Sequence, residues 1–251
     1  DQTKILHDFV NSPINQSTKE AVLSKVPMEA IIALLDQDSS AELACDALCK
    51  LVPESVDFLK AAGSLWSIGM THRNYLVRKS TLSLLGDLAT HENGFHYMIE
   101  NHLVKLIISS LKDGQLKVSC AASNLIIKFA SDAEYGALFL EASRLDFEDL
   151  ITSDADSISQ LRALETLCKI WSASPSGSQF CRSTSTKQVL LELVASDDCL
   201  VQMNAVEILC SLSPHELEAA DMEVLLSAAE DMSPDAPAAP QLALAAARFL
   251  A

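Results

Sequence analysis

An apolar helical segment returns about every 40 residues along this chain. The five copies each end on an apolar residue that we call the anchor, and the anchors are Leu51, Leu88, Phe129, Ile170 and Leu212. Successive anchors lie 37, 41, 41 and 42 residues apart, and Phe249 continues the series after a further 37. Within each copy the apolar residues recur at the spacing of an amphipathic helix. This regular period predicts stacked helical units, each of which buries its apolar stripe against its neighbours.

Each copy predicts one long helix that ends near its anchor. A shorter apolar helix precedes the copy, as at Met28–Leu35, at Leu103–Leu111 and, in a weaker version, at Asp146–Ile151. A third short element follows it, as at Asn93–Asn101 and Asp132–Glu141. Three helices per repeat are typical of armadillo repeats and two of HEAT repeats, and the irregular third repeat leaves both names open. The long helices are predicted over Ala41–Val52, Val77–Ala89, Val118–Ala130, Ser159–Trp171 and Val201–Ser213.

We therefore predict an all-α fold, a right-handed α-solenoid of about five to six armadillo/HEAT-like repeats that form a single domain over residues 1–251. A compact helical bundle is the alternative, and it would show no common register from repeat to repeat. The chain begins at Asp1 rather than at Met and ends at Ala251 within a helical pattern. We expect it to be a fragment of a longer protein.

Acidic residues are concentrated in the second half of the chain. Residues 1–130 hold 12 Lys and Arg against 14 Asp and Glu, a balance of −2, whereas residues 131–251 hold 6 against 20, a balance of −14. This half would repel the phosphates of nucleic acids and anionic lipids, and no apolar run approaches the roughly 18 residues of a membrane span. The charge argues against nucleic acid and membrane as partners and favours a protein with a basic face.

The cysteines and histidines do not form a metal-binding pattern. The chain has seven cysteines. This odd number indicates reduced thiols, as in a protein of the cytoplasm or the nucleus. Cys45 and Cys49 lie four residues apart, but no second pair has the spacing of metal ligands, so we interpret both as buried thiols. His91 and His96 lack the spacing of a zinc-protease helix.

The remaining motifs of the sequence are interpreted as structural rather than catalytic. No phosphate-binding glycine loop or nucleophile motif is found, so we predict no catalytic residue, no cofactor and no metal, and a protein that is not an enzyme. Ser172–Gly177 is interpreted as a loop, and Trp66 and Trp171 as core residues. An acidic stretch comprises Asp146, Glu148, Asp149, Asp154 and Asp156. We interpret it as a solvated loop, and a docking site for a basic partner is the alternative.

One face of the long helices is polar in every repeat. In repeat solenoids the last helix of each repeat lines a concave groove that binds proteins. Positions five and one before each anchor lie on one helical face, and all ten are polar, which predicts that this face is solvated or binds a partner. With Lys79 one turn earlier, the predicted groove residues are Asp46, Lys50, Ser83, Asp87, Asn124, Lys128, Glu165, Lys169, Glu207 and Ser211. At the position of Lys79 the later repeats have Cys120, Leu161 and Met203, which favours contact with a partner.

Three stretches resemble the proteasomal non-ATPase regulatory subunit 5 family. They read ESVDFLKAAGSLWSIGMTHRNYLVRKSTLSLLGDLA, ENHLVKLIISSLKDGQLKVSCAASNLIIKFAS and LLELVASDDCLVQMNAVEILCSLS, and the similarity spans roughly residues 30–215. The family comprises helical-repeat chaperones for assembly of the base of the 26S proteasome. The resemblance implies a cytosolic protein that binds the C-terminal domain of an AAA+ ATPase subunit of the proteasome and then leaves.

Other binding functions remain as alternatives. Nuclear-import adaptors of the armadillo class place Trp and Asn at the two groove positions, and no Trp occupies those positions here. A different armadillo-type adaptor or co-chaperone, or the regulatory domain of a larger enzyme, fits the repeat pattern as well. The leading prediction is a non-enzymatic chaperone of proteasome assembly that binds a protein partner.

Overall fold

A computed structural model of the chain describes residues 2–37, 39–51, 63–90, 92–152, 156–212, 219–231 and 240. The regular structure of these residues is α-helix with two short 3-10 turns, and the described part contains no strand. The chain divides into two compact units, unit 1 over Asp1–Leu125 and unit 2 over Ile126–Ala251. The all-α prediction is confirmed, whereas a single domain stays a prediction.

Unit 1 contains eight helices in its described part and most of a ninth. Helix α3 continues into the 3-10 turn Leu34–Asp36, and α8 continues into the 3-10 turn Ser110–Lys112. The helices are α1 Gln2–Val10, α2 Gln16–Leu23, α3 Met28–Ala33, α4 Ala41–Leu51, α5 Gly63–Thr71, α6 Tyr75–Leu88, α7 Glu92–Glu100, α8 Leu103–Ser109 and α9 Leu116–Ala130.

Unit 2 begins within α9 and contains six further helices among its described residues. Several begin at a polar cap, for example Asp198, whose carboxylate accepts from the N–H of Leu200 at 3.0 Å. The helices are α10 Gly136–Ile151, α11 Ser157–Ala173, α12 Pro175–Cys181, α13 Thr184–Leu193, α14 Cys199–Cys210 and α15 Ala219–Asp231.

The anchor period identifies the long helices. The five predicted segments correspond to α4, α6, α9, α11 and α14, and every observed end lies within three residues of its predicted end. All five anchors are buried, with at most 4% of the residue surface exposed. Phe249, the sixth anchor of the series, lies outside the described residues. The prediction of an armadillo/HEAT-like helical repeat is confirmed.

Successive long helices pack on one another within each unit. In unit 1, α4 packs against α1 and α6, and the shorter α5 also packs against α6. Helix α6 approaches α9 closely, because a Cβ added at Gly86 would lie 2.9 Å from Cδ1 of Leu125. In unit 2, α11 packs against α14, while α10 and α13 pack against α11 and α14 respectively. Helices α4 and α11 therefore pack against the long helix of the next repeat, and α6, α11 and α14 each pack against a shorter helix of their own repeat.

Glycine recurs where one repeat turns into the next. Gly94, Gly136 and Gly177 lie six or seven residues after an anchor, in the first turn of α7, α10 and α12. A Cβ added at any of them would lie closer than 3.0 Å to a backbone carbonyl oxygen near the end of the preceding long helix, that of Leu88, Ala130 or Ile170. Only glycine allows this close approach. The sequence analysis did not single out these glycines.

Two predictions for unit 2 are wrong. The elements expected at 132–141 and 146–151 are one continuous helix, α10, because no glycine or proline interrupts residues 137–151. The loop expected at 172–177 shrinks to Ser174. Its hydroxyl accepts from the N–H of Gly177 at 3.0 Å, and Pro175 occupies the first turn of α12, where a missing N–H has no cost.

Candidate functional site

The eleven residues predicted to line a groove lie on the long helices, and we call them the polar face. Ten are exposed, and Lys50 is half-buried. Their exposure agrees with the sequence analysis, whereas their role in binding stays a prediction. Unit 1 carries Asp46, Lys50, Lys79, Ser83, Asp87 and Asn124, and unit 2 carries Lys128, Glu165, Lys169, Glu207 and Ser211.

In unit 1 two contacts join α4, the first helix of the polar face, to neighbouring helices. The Lys50 ammonium donates to the carbonyl oxygen of Val10 at the end of α1. One turn from Asp46, the Glu42 carboxylate accepts from the side-chain amide of Asn74, the N-cap of α6, at 3.2 Å. These contacts hold α4 to α1 and α6. They position the helices that carry the polar face.

In unit 2 the charges of the polar face are unpaired within the described residues. Glu165 and Lys169 have the spacing of a helical ion pair, but neither forms an ion pair with a described residue. The only side-chain hydrogen bond found here for Glu207 or Ser211 is local, from the Ser211 hydroxyl to the Glu207 carbonyl oxygen at 2.7 Å. The carboxylates of Glu165 and Glu207 are therefore available to a partner.

The two units also differ in total charge. Unit 1 holds 11 Lys and Arg against 14 Asp and Glu, a balance of −3. Unit 2 holds 7 against 20, a balance of −13. A positively charged partner is therefore attracted mainly by unit 2.

Thiols line the contacts between long helices. The thiol of Cys49, two residues before its anchor, lies 4.0 Å from the carbonyl oxygen of Ser80 on α6, and that of Cys168 lies 3.8 Å from the carbonyl oxygen of Asn204 on α14. Burial raises the pKa of Cys168 to about 12, with the negative charge of Glu207 adding to the rise. Burial likewise raises the pKa of Cys49 to about 11, with Asp87 adding to it. These are protonated packing thiols rather than nucleophiles.

A metal site is not formed by the described residues. Cys45 is buried beside the carbonyl oxygen of Val77, and burial raises its pKa to about 12. No group of three or more His, Cys, Asp or Glu side chains within the described ranges could hold an ion. His91 lies outside those ranges, and His96 is exposed on α7.

The acidic stretch is structured rather than a loop, which corrects the sequence analysis. Asp146, Glu148 and Asp149 lie on α10, where Glu148 accepts from the hydroxyls of Ser185 at 2.6 Å and of its neighbour Thr186 at 3.1 Å. Asp156 caps α11 by accepting from the N–H of Ser159 at 2.9 Å. Asp154 lies outside the described residues. The stretch therefore joins α10 to α13 and starts α11.

The tryptophans differ in burial. Trp66 is buried in unit 1, as predicted. Trp171 is only half-buried, and the guanidinium carbon of Arg182 lies 5.4 Å from the centre of its ring. Trp171 therefore closes the edge of the core in unit 2 rather than filling it.

The first turns of α11 and α14 expose large apolar side chains that the sequence analysis missed. Ile158 is 63% exposed and Leu200 is 46% exposed, and both lie 12 residues before an anchor. Half-buried Leu161 and Met203 follow one turn later on the same helical face. The sequence did contain a signal for these exposed residues. The helical side that carries the polar face becomes apolar when it is followed toward the helix N-termini.

No helix in the described ranges is long and apolar enough to cross a membrane.

Comparisons with known proteins give one family and a set of helical repeat structures. No curated protein sequence matches the chain. An engineered protein of known structure is 19% identical, with 98% of this chain and 63% of that chain covered and a TM-score of 0.48. A computationally designed armadillo repeat protein for modular peptide recognition is 16% identical, with 83% of this chain and 90% of that chain covered and a TM-score of 0.48.

The family match covers most of the chain. A model of the family described as the proteasome non-ATPase 26S subunit matches residues 5–239. The resemblance in the sequence analysis is thereby confirmed at the level of the family. The chain is an all-α helical repeat protein, and it belongs to the family of proteasome non-ATPase 26S subunits.

Proposed function

We propose that this chain is a non-enzymatic chaperone for assembly of the base of the 26S proteasome regulatory particle, and that it binds the C-terminal domain of an AAA+ ATPase subunit. The observation that carries the proposal is the family match over residues 5–239. Such a chaperone acts in the cytoplasm and also in the nucleus, where reduced thiols persist.

The surface of the repeats supports this proposal. A chaperone that binds and then leaves needs an interface that remains solvated when empty, and the polar face is exposed in both units. In unit 2 the carboxylates of Glu165 and Glu207 have no ion-pair partner among the described residues. A partner with Lys or Arg at matching positions would complete these pairs.

A direct binding measurement tests the proposal. The purified chain is titrated with the isolated C-terminal domain of each proteasomal ATPase subunit, and the dissociation constant is measured by calorimetry. We expect one domain to bind with a Kd of about 1 μM or tighter. Absence of binding by every domain at tens of micromolar would contradict the proposed partner.

Charge reversal tests the surface. The double variant Glu165→Lys with Glu207→Lys is expected to weaken binding about tenfold, because unpaired carboxylates become like charges toward a basic partner. The matched control is Glu192→Lys with Glu223→Lys, which changes the net charge equally at exposed positions of α13 and α15 outside the polar face. Equal weakening by both double variants would contradict a role of the polar face.

A further inference from the structure

Unit 2 exposes apolar side chains near the N-terminal ends of two of its long helices. They are Ile158 and Leu161 on α11 and Leu200 and Met203 on α14, and we call these four residues the apolar patch. Helices α11 and α14 pack directly against each other, and the two pairs occupy equivalent positions, 12 and 9 residues before the anchors Ile170 and Leu212. Ile158 and Leu200 keep 63% and 46% of their surface in solvent, although neither is needed to fill the core.

Carboxylates border the apolar patch on two sides. On the side of the helix N-termini lie Asp156 and Asp198, which cap α11 and α14, and the exposed Asp197. One turn beyond the patch toward the helix C-termini lie the exposed Glu165 and Glu207. The apolar surface therefore has an acidic border at both ends.

The dimensions suit a single segment of a partner chain. From Ile158 to Glu165 the helix advances seven residues, which is about 10 Å at the α-helical rise. A helix with its side chains is also about 10–12 Å wide. A helix lying across α11 and α14 would thus cover the patch while its flanks reach both acidic borders.

We infer that the apolar patch of unit 2 is the docking site for an amphipathic helical segment of the protein partner, with apolar side chains on one face and Lys or Arg on both flanks. The inference rests on the proposed function and names the kind of segment that unit 2 takes. Apolar side chains cover the four residues of the patch, and the basic flanks meet the acidic borders.

The corresponding positions of unit 1 do not form such a site. On α6, Leu76 is 36% exposed at the position of Ile158 and Leu200, but Lys79 takes the position of Leu161 and Met203. On α9 the two positions are occupied by Lys117 and Cys120. These ammonium groups would repel a basic flank. Leu116 nevertheless matches Ile158 in exposure and lies in the first turn of its helix, so it provides a control for substitutions in the patch.

Direct binding of a model peptide tests the inference. The probe is a fluorescently labelled helical peptide of about 14 residues, or four turns, with Leu along one face and Lys on both flanks. Its affinity for the whole chain is measured by anisotropy. A second peptide keeps the Lys residues but has Ser in place of Leu, and a third keeps Leu but has Glu in place of Lys. We expect the first peptide alone to bind.

Glu substitutions separate docking on the patch from simple charge attraction. Ile158→Glu with Leu200→Glu is expected to weaken binding of the Leu and Lys peptide about tenfold or more, because two large apolar contacts are lost. Purely electrostatic binding would instead become tighter, since the variant is more acidic. Leu116→Glu is expected to leave the affinity unchanged. Glu in a first helical turn is favourable, so these variants should keep their helicity in circular dichroism.

The outcomes for the peptide and for the ATPase domains are distinguishable. Unchanged or tighter peptide binding by the patch variant, or equal binding of the peptide that has Glu in place of Lys, would overturn the inference. An ATPase domain that binds while the Leu and Lys peptide does not would also overturn it and leave the proposed function standing. Peptide binding through the patch without binding of any ATPase domain would contradict the proposed partner alone.

Discussion

The two units are built from the same repeat but expose different surfaces. Unit 1 has a charge balance of −3 and places Lys79 and Lys117 near its exposed leucines. Unit 2 has a balance of −13 and groups Ile158, Leu161, Leu200 and Met203 between carboxylates. Buried anchors keep the repeat fold in both units, while the solvent-facing positions are free to differ. The repeat thus specifies the scaffold, and the exposed ends of the long helices specify what can bind.

Each unit also contains an ion pair with little exposure among its described residues, and these two pairs test whether the units are stabilised alike. In unit 1, Arg78 Nε lies 2.6 Å from Asp113 Oδ2, and in unit 2, Lys187 Nζ lies 2.7 Å from Asp221 Oδ2. We expect Asp221→Asn to lower the free energy of unfolding by about 3 kcal/mol, because the ammonium of Lys187 loses its charged partner in a buried position.

Asp113→Asn should cost less, about 1–2 kcal/mol, because the guanidinium of Arg78 also donates to the carbonyl oxygens of His72 and Arg73. The hydrogen bond with Asp113 raises the pKa of Arg78, and because an arginine stays protonated without such a partner, the guanidinium is charged in both proteins. Urea unfolding followed by circular dichroism measures both changes. A larger loss for Asp113→Asn would reverse the ranking of the two pairs.

The glycines at the repeat junctions should matter equally in both units. We expect Gly94→Ala in unit 1 and Gly177→Ala in unit 2 each to lower the free energy of unfolding by about 1–3 kcal/mol, because the added methyl overlaps a backbone carbonyl. Gly114→Ala is the control, since an added Cβ there meets no atom within 4 Å. Differential scanning fluorimetry reads the change in Tm. A Tm for either junction variant equal to that of the control would show that the chain shifts to accept the methyl.

Cysteine labelling compares the two units in a bound complex. Exposed Cys120 lies in unit 1, whereas exposed Cys199 precedes Leu200 of the apolar patch. At pH 8 we expect the partner to slow alkylation of Cys199 several-fold and to leave that of Cys120 unchanged. Burial raises the pKa of Cys45 and Cys168 to about 12, so these thiols stay protonated at this pH and contribute little. Mass spectrometry after a timed iodoacetamide pulse identifies the labelled residue, and protection of Cys120 alone would place the partner on unit 1.

The long helices were predictable from the sequence because each anchor must be buried. The stripe that ends at Phe129 or Ile170 repeats in the same register, and the helix is the only regular structure that keeps such a stripe on one side. The continuity of α10 was not predictable in the same way. Its two apolar segments were assigned to separate helices by analogy with other repeats, although the residues between them favour helix.

The polar face was predictable in its exposure but not in its function. Register alone places Glu165 and Lys169 on the solvent side of α11, and both are exposed there. Ile158 and Leu200 of the apolar patch escaped notice because an apolar residue in a first helical turn is equally suited to packing. Whether it is covered depends on how far the neighbouring repeat extends, which is a property of tertiary packing. The junction glycines depend in the same way on the position of another helix's carbonyl oxygen.

The thiol contacts between long helices couple positions that are distant in sequence. The residue two before one anchor meets the residue eight before the next, as Cys49 meets Ser80 and Cys168 meets Asn204. At both boundaries a small side chain of one repeat lies against the backbone of the next, so a larger residue in place of Cys49 or Cys168 would move the two long helices apart. Related chains should therefore keep small residues at this position. The same limit would guide the exchange of whole repeats between relatives.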